Sequence, residues 1–284
     1  MTTDKTMTAD EVVARLRSGM TIAIGGWASR RKPMALVRAV LRSELRDLTI
    51  VTHGGPDLGL LCAAGQVRRA VYAFVSLDSL PLEPHFRAAR QSGAIEDEPY
   101  DEGLFHLALQ AAAWRVPFLP SRVGLGSDLL RDNPRLTTFA SPVGSPEPLV
   151  AVPAFTLDAA LCHLNRADRR GNAVYLGPDL YWDDLMLQAA PTGGRFISCE
   201  RLVDTADLAA EGCLHQMRIS RMMVDGVVEA PGGAHFTLCE PDYPRDEAVQ
   251  RAYAASAKSP EAWASFRAEW IDIPEGEYQR KVRA

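Results

Sequence analysis

Residues 18–33 read SGMTIAIGGWASRRKP. A short apolar strand at 21–24 runs into the pair Gly25-Gly26, then a polar and basic loop, and Pro33 opens a helix. Proline suits the first helical position because its missing N–H would have no partner there. Glycines after a strand let backbone N–H groups come close to a ligand, and a helix N-terminus behind them favours negative charge. Arg30, Arg31 and Lys32 add three positive charges to the same spot. Together these features predict an anion-binding site at the carboxyl end of a first strand in an α/β sheet. Gly25, Gly26, Ser29, Arg30 and Arg31 are its candidate residues. The spacing matches neither the phosphate loop G-x-x-x-x-G-K-[ST] nor the dinucleotide fingerprint G-x-G-x-x-G, so a glycine pair that serves only a tight turn is the competing reading.

The flanking sequence extends this strand–loop–helix unit. Thr8-Ala9-Asp10-Glu11 is a capping-box pattern, followed by apolar Val12, Val13 and Leu16 in a helix that ends by Gly19. From Pro33 to about Ser43, Leu36, Val37, Val40 and Leu41 fall on one face and Arg38 and Arg42 on another. Residues 48–52 read as a second strand that again ends in glycines, Gly54-Gly55, a second pair of candidate ligand-binding positions. A third strand is expected at 70–75. Strands that are apolar throughout, alternating with helices of 10–12 residues, predict an open parallel sheet with helices on both faces.

The most acidic stretch, EDEPYDE at 96–102, leads into a helix that continues to about Arg115, with Asp101 as its cap and Glu102 in its first turn. Val116–Pro120 stops that helix, and residues 121–148, rich in Gly, Pro, Ser and Asp, read as a long irregular loop. Further strands are expected near 149–152, 159–163, 195–203 and 222–228. Residues 240–284 read as a polar, mostly helical tail whose Tyr253, Trp263, Phe266 and Trp270 form a modest apolar face. No repeat or linker divides the chain, so residues 1–284 are read as a single domain.

Composition narrows the function. With 284 residues, 47% apolar and 24% charged, the chain is an ordinary globular protein with enough length for a sizeable core. A net charge of −5 argues against nucleic acid as a partner. No signal peptide precedes the first helix and no run of about 18 apolar residues occurs, so no membrane span is expected. Five scattered cysteines (Cys62, Cys162, Cys199, Cys213, Cys239), none in C-x-x-C, read as reduced thiols of a cytoplasmic protein.

Glu102 is the candidate catalytic carboxylate. Asp101 and Glu98 would raise its pKa if close, and the helix N-terminus would lower it. The competing reading makes it only a partner of the helix dipole. His53, His163 and His235 end apolar strands, but their spacing fits no zinc motif, so each is expected to be a hydrogen-bonded structural histidine and no metal is predicted. Asp183-Asp184 reads as a solvated loop pair. No G-x-S-x-G elbow is present.

Residues 18–33 resemble the first signature of family I coenzyme A transferases, with Ser18, Trp27 and Arg31 replacing an acidic or amide residue, a phenylalanine and a glycine. VPFLP (116–120), DAALCHLNRADRRGN (158–172), CERLV (199–203) and VDGVVEAPGGAH (224–235) continue the likeness, in the order expected of an α subunit of the glutaconate coenzyme A transferase type. The resemblance covers residues 9 to about 240 and implies the NagB/RpiA-like α/β fold. It also implies a homologous β subunit meeting the α subunit at the active site, in an α2β2 heterotetramer. The nucleophilic glutamate of true transferases belongs to a serine-glutamate-asparagine-glycine motif of the β subunit, and that motif is absent here.

GWASRRKPM (26–34), GGPDLGLLC (54–62), FVSLDS (74–79), YDEG (100–103) and RMMVDGVVEAPGGAHFT (221–237) are similar to the α subunit of bacterial steroid ring-cleaving hydrolases. Those open a cyclic β-keto coenzyme A thioester, which implies retro-Claisen cleavage by water with Glu102, in the matching D-E-G, as the carboxylate. No tightly bound cofactor is implied, because the substrate itself carries coenzyme A. Two other readings stand beside this one: an ordinary coenzyme A transferase α subunit, and a non-catalytic scaffold or sensor.

Overall fold

In the computed structural model, which describes residues 4–283, a short helix α1 (Ala9–Val13) is held by the expected capping box. Glu11 N–H donates to Thr8 Oγ1, and Thr8 N–H to the Glu11 carboxylate. Strand β1 (Thr21–Trp27) and helix α2 (Met34–Leu41) follow, then β2 (Leu48–Gly54), α3 (Pro56–Ala63), β3 (Val67–Val75), α4 (Pro84–Gln91), β4 (Glu96–Pro99) and α5 (Glu102–Trp114). The chain then leaves the sheet for β5 (Phe118–Ser121), α6 (Leu129–Asp132), β6 (Thr137–Ala140) and β7 (Pro148–Pro153). It returns in β8 (Ala159–Ala167), β9 (Ala173–Val174), α7 (Asp183–Ala189), β10 (Arg195–Leu202), α8 (Leu208–Glu211) and β11 (Gly226–Glu229). Helices α9 (Glu247–Ser256), α10 (Pro260–Trp270) and α11 (Glu275–Arg283) come last.

The central sheet has the order β11-β10-β8-β1-β2-β3-β4, and every neighbouring pair on this path is parallel. Short β9 adds to β8 antiparallel. Successive side chains of a strand point to opposite faces. Ile22 and Ile24 of β1 therefore enter one core with Leu36 of α2, while Ala23 enters the other with Leu104 and Phe105 of α5. Because both faces are covered, β2 is buried at all seven positions. This is the doubly covered parallel sheet expected from the sequence.

Two segments differ from expectation. Glu96–Pro99, read only as an acidic run, is the edge strand β4. Pairing with β3 and ion pairs from Arg69 to Glu96 and Glu98 supply what its poor strand propensity lacks. Residues 121–148 are not wholly irregular: they carry α6 and β6 and, with the flanking strands, complete a small antiparallel sheet of order β5-β7-β6. Pro120 is tolerated because β5 is an edge strand.

The tail beyond residue 240 is tied into the domain. Val249, Tyr253 and Phe266 belong to the first core, and Tyr253 donates a hydrogen bond to buried Glu83. Among the described residues no helix is long and apolar enough to cross a membrane. All five cysteines are free.

Candidate active site

Strands β1 and β2 pair from Thr21 opposite Thr49 to Ile24 opposite Thr52, and the next pair is Trp27 opposite His53. Gly25 and Gly26 are therefore a bulge in β1. The bulge lays the Trp27 indole on the His53 imidazole, with ring centroids 5.1 Å apart and planes 6° from parallel. No side chain fits here. A Cβ on Gly25 would meet Asp183 Oδ1 at 2.4 Å, and Gly26 has φ +76° with the Arg30 carbonyl oxygen 2.6 Å from its Cβ position. The second glycine pair crosses the first loop: a Cβ on Gly55 would lie 1.8 Å from the Ala28 carbonyl oxygen.

These glycines serve close packing, and two of their amides are already engaged. Gly26 N–H donates to Asp183 Oδ1 at 2.9 Å and Gly55 N–H to Asp57 Oδ1 at 2.8 Å. Gly54 closes β2, its carbonyl accepting from Ser76 N–H at 3.0 Å. The remaining loop candidates separate in the same way. Ser29 is buried with its hydroxyl on Gln250 Oε1. Arg31, expected as a clamp for a substrate anion, is 3% exposed, and its guanidinium is used by Asp183 and by the carbonyls of His163, Asp179 and Leu180. Such an arginine fixes the fold of the loop. Arg30 differs: its guanidinium, paired with Asp78 at 3.0 Å, is 42% exposed, and Asp78 is shared with Arg245. Lys32 is fully buried, bonded to Thr52 Oγ1 and the His53 carbonyl and paired with Asp57 at 3.1 Å.

Glu102 opens α5, which Asp101 caps by accepting from Leu104 N–H at 2.8 Å. Its pKa is raised, first by partial burial and then by Asp101. Glu98 takes no part, being bound to Tyr100 and facing Arg69 and Arg135. Among the described residues no hydrogen bond or ion pair occupies the Glu102 carboxylate. Four residues on, and so on the same helix face, comes His106. Nitrogen and oxygen atoms of His53, Glu102 and His106 lie within 4.8 Å of one another. A small polar group placed among them is in reach of all three.

His53 does not match its expected structural role. It is completely buried, and neither ring nitrogen has a hydrogen-bond partner among the described residues; His106 Nε2 has none either. Leaving such a group unpaired costs about 1–3 kcal/mol, so its retention needs an explanation. Aromatic rings surround the pair: Trp27, Phe74, Phe105 and Trp182 lie 4.5–5.6 Å from His53 between centroids, and Trp182 lies 3.6 Å from His106. Burial pushes the His106 pKa down to about 4 and that of His53 well below its usual value, with His106 and Lys32 adding to the effect on His53. Both rings are neutral near pH 7.

Strain gathers around the same place. Of the seven non-glycine residues with positive φ among the described residues, Ala28, Arg31, Tyr181 and Trp182 lie in the two loops that enclose it. Left-handed backbone at bulky residues is costly and concentrates at functional sites. It sets Trp182 against His53 and His106. His106 was findable in the sequence from its offset to Glu102, whereas Trp182, brought in from 80 positions away, carried no local signal.

The other histidines behave as expected. His163 bonds Ser198 and Glu200, and His235 bonds Tyr278 and Asp246. His163, Glu200 and Cys239 also converge, but Glu200 already accepts from His163, Tyr243 and the amides of Gly232 and Gly233. The Glu200 carboxylate is thus fully engaged in a hydrogen-bond network. Asp183 and Asp184, expected to be solvated, are buried at the start of α7 and answered by Arg31 and Arg218. Burial outweighs Arg31 and pushes the Asp183 pKa up to about 6.

A sequence profile described as Coenzyme A transferase matches residues 6–230. The chain is 55% identical over 286 residues to the "Cholesterol ring-cleaving hydrolase IpdA subunit" of Rhodococcus jostii (strain RHA1), covering 99% of this chain and 96% of that one. It is 53% identical over 285 residues to the protein of the same name from Mycobacterium tuberculosis (strain ATCC 25618 / H37Rv), covering 98% and 97%. The crystal structure of glutaconate coenzyme A-transferase from Acidaminococcus fermentans superposes with a TM-score of 0.91 at 28% identity, covering 99% of this chain and 93% of that one.

Proposed function

The chain belongs to the coenzyme A transferase family, and we propose that it is the α subunit of a heteromeric hydrolase. The hydrolase opens a cyclic β-keto coenzyme A thioester, of the kind formed late in steroid-ring degradation, by water-dependent retro-Claisen cleavage. The observation that carries this reading is 55% identity, across 99% of the chain, to a subunit named as a cholesterol ring-cleaving hydrolase. That relative is named as a subunit, so a homologous β subunit is the expected partner, in an α2β2 assembly.

Glu102 is the base. Its carboxylate has no hydrogen-bond or ion-pair partner among the described residues, its pKa is raised, and it lies beside His53 and His106, whose rings pack on Trp182. Ring opening by water needs no bound cofactor beyond the coenzyme A of the substrate. A cytoplasmic location fits the five free thiols.

The deciding experiment uses the chain copurified with its β subunit. A cyclic β-keto coenzyme A thioester is incubated in water without an acceptor acid, and its mass is followed. Uptake of one water with coenzyme A retained is expected. If nothing happens until acetate or succinate is added, and coenzyme A then changes carrier, the complex is a transferase.

Arg30 supports recognition of a carboxylate elsewhere on the substrate, because its guanidinium is half-exposed while that of Arg31 is buried. Arg30→Ala is expected to raise KM about tenfold for a substrate bearing that carboxylate and little for one lacking it, the loss of a single charge-assisted contact. Equal effects on both substrates would remove Arg30 from recognition.

A further inference from the structure

We infer that the imidazoles of His53 and His106 donate the hydrogen bonds that stabilise the substrate oxygen on which negative charge develops during ring opening. The inference rests on the ring-opening reading and adds to it the electrophilic half of the site. It starts from the unpaired nitrogens of the two rings. A neutral imidazole carries one N–H donor and one acceptor. In His53 both atoms are buried and unpartnered, and one lies within 4.8 Å of the carboxylate proposed as base. Two backbone amides of the neighbouring glycine pairs are engaged elsewhere, Gly26 N–H by Asp183 and Gly55 N–H by Asp57.

Charge state separates the roles of the three side chains. A protonated histidine beside Glu102 would pair with the carboxylate and weaken it as a base. Burial keeps both rings neutral. The charged groups acting on them are Lys32 on the His53 side, whose ammonium holds the His53 carbonyl at 2.7 Å, and Asp101, Asp179 and Glu102 around His106. The two aspartates favour protonation of His106, and burial outweighs them. Neutral donors next to an ionised carboxylate supply hydrogen bonds without quenching the base. The surrounding indoles and phenyl rings keep water out, which strengthens each donor.

The chemistry balances. Glu102 takes a proton from water as the water oxygen bonds to the ring ketone carbon. The carbonyl π pair moves to the ketone oxygen, which His53 and His106 hold. The C=O bond re-forms and the bond to the α-carbon breaks. Its electron pair passes into the thioester as an enolate, and Glu102 returns the proton to the α-carbon. One water is consumed, the ketone carbon becomes a carboxylic acid, and coenzyme A stays attached.

The test uses the assembled complex and the same ring-ketone thioester. His106→Phe and His53→Phe are each expected to lower kcat about 10²–10³-fold, the usual loss for one oxyanion donor, with KM within about threefold. His106→Gln and His53→Gln, whose amides can still donate, are expected to regain at least about tenfold of that loss. A merely structural role would not be rescued by an amide, because phenylalanine fits the aromatic box better than glutamine does. His106, half-buried, keeps the test open should His53→Phe fail to fold, which thermal melting reports. If the wild-type complex opens the ring and His106→Phe retains kcat within about threefold, the donor role is overturned while the function stands. If the wild-type complex does not open the ring, both fall. If EDTA abolishes turnover and Zn²⁺ restores it, the cluster holds a cation and the donor role is again overturned.

Discussion

Glu102→Gln, assembled with its β subunit, is expected to open the ring-ketone thioester about 10²–10⁴-fold more slowly than the wild type, the usual contribution of a positioned general base. Glutamine matches the shape of glutamate and can follow the Asp101 cap as well as glutamate does. The melting temperature should therefore stay within a degree or two, separating chemistry from folding. The pH profile gives a second, independent sign. Glu102 must be ionised to accept a proton, so turnover falls as pH drops through its pKa. That pKa is raised by partial burial and by Asp101, which places the acid limb above the ordinary glutamate value. Asp101→Asn removes the neighbouring charge yet keeps a side-chain oxygen for Leu104 N–H, since asparagine caps helices as well as aspartate. The acid limb should then move to lower pH with kcat on the plateau little changed. Retention of turnover in Glu102→Gln within tenfold, or an upward shift in Asp101→Asn, would take the base role away from Glu102.

The framework that presents Glu102 was legible because its signals are local. A capping box at Thr8 and Glu11, an Asp101 cap three residues before Leu104, and apolar strands alternating with amphipathic helices are decided by residues close in sequence. The position of Glu102 in a first helical turn was legible for the same reason. Pro33 was off by a single place, sitting at the N-cap of α2 instead of its first turn.

What escaped reading depends on long-range partners. The edge strand β4 is formed by EDEP, which no propensity favours, because β3 offers it arginines and an open edge. Asp183 looked like a surface residue until Arg31, 152 positions earlier, folded onto it. The glycine pair Gly25-Gly26 forms a bulge that brings Trp27 level with His53, a role set by the register with β2. The reading of His53 failed in an informative way. Buried polar groups are nearly always hydrogen-bonded, and that expectation breaks where two unpaired imidazoles face a free carboxylate.

Lys32→Met is the substitution expected to damage the fold most. Lys32 and Asp57 are both completely buried and 3.1 Å apart. The lysine also holds Thr52 Oγ1 and the His53 carbonyl, and the aspartate accepts from Thr52 Oγ1 and Gly55 N–H. One network thus joins the loop after β1, the end of β2 and the start of α3 directly beneath the imidazole of His53. Burial outweighs the attraction of Asp57 and holds the Lys32 pKa below its usual value, as expected when desolvation exceeds Coulombic gain. Loss of the lysine is costly because methionine would leave the buried Asp57 carboxyl without its cation, a change of about 3–5 kcal/mol, or a fall in melting temperature of about 5–10 °C for a chain of this size. The double variant Lys32→Met with Asp57→Asn removes both charges while an amide oxygen still receives Gly55 N–H, and should recover about half of that loss. Urea unfolding of the wild type, both single variants and the double variant gives the coupling directly. A Lys32→Met cost under about 1 kcal/mol, or no recovery in the double variant, would mean that the ion pair does not organise this end of the sheet. Since the same lysine fixes the backbone of His53, kcat in Lys32→Met should fall even at temperatures where the chain is fully folded, tying the stability of the sheet's carboxyl end to the chemistry carried out on it.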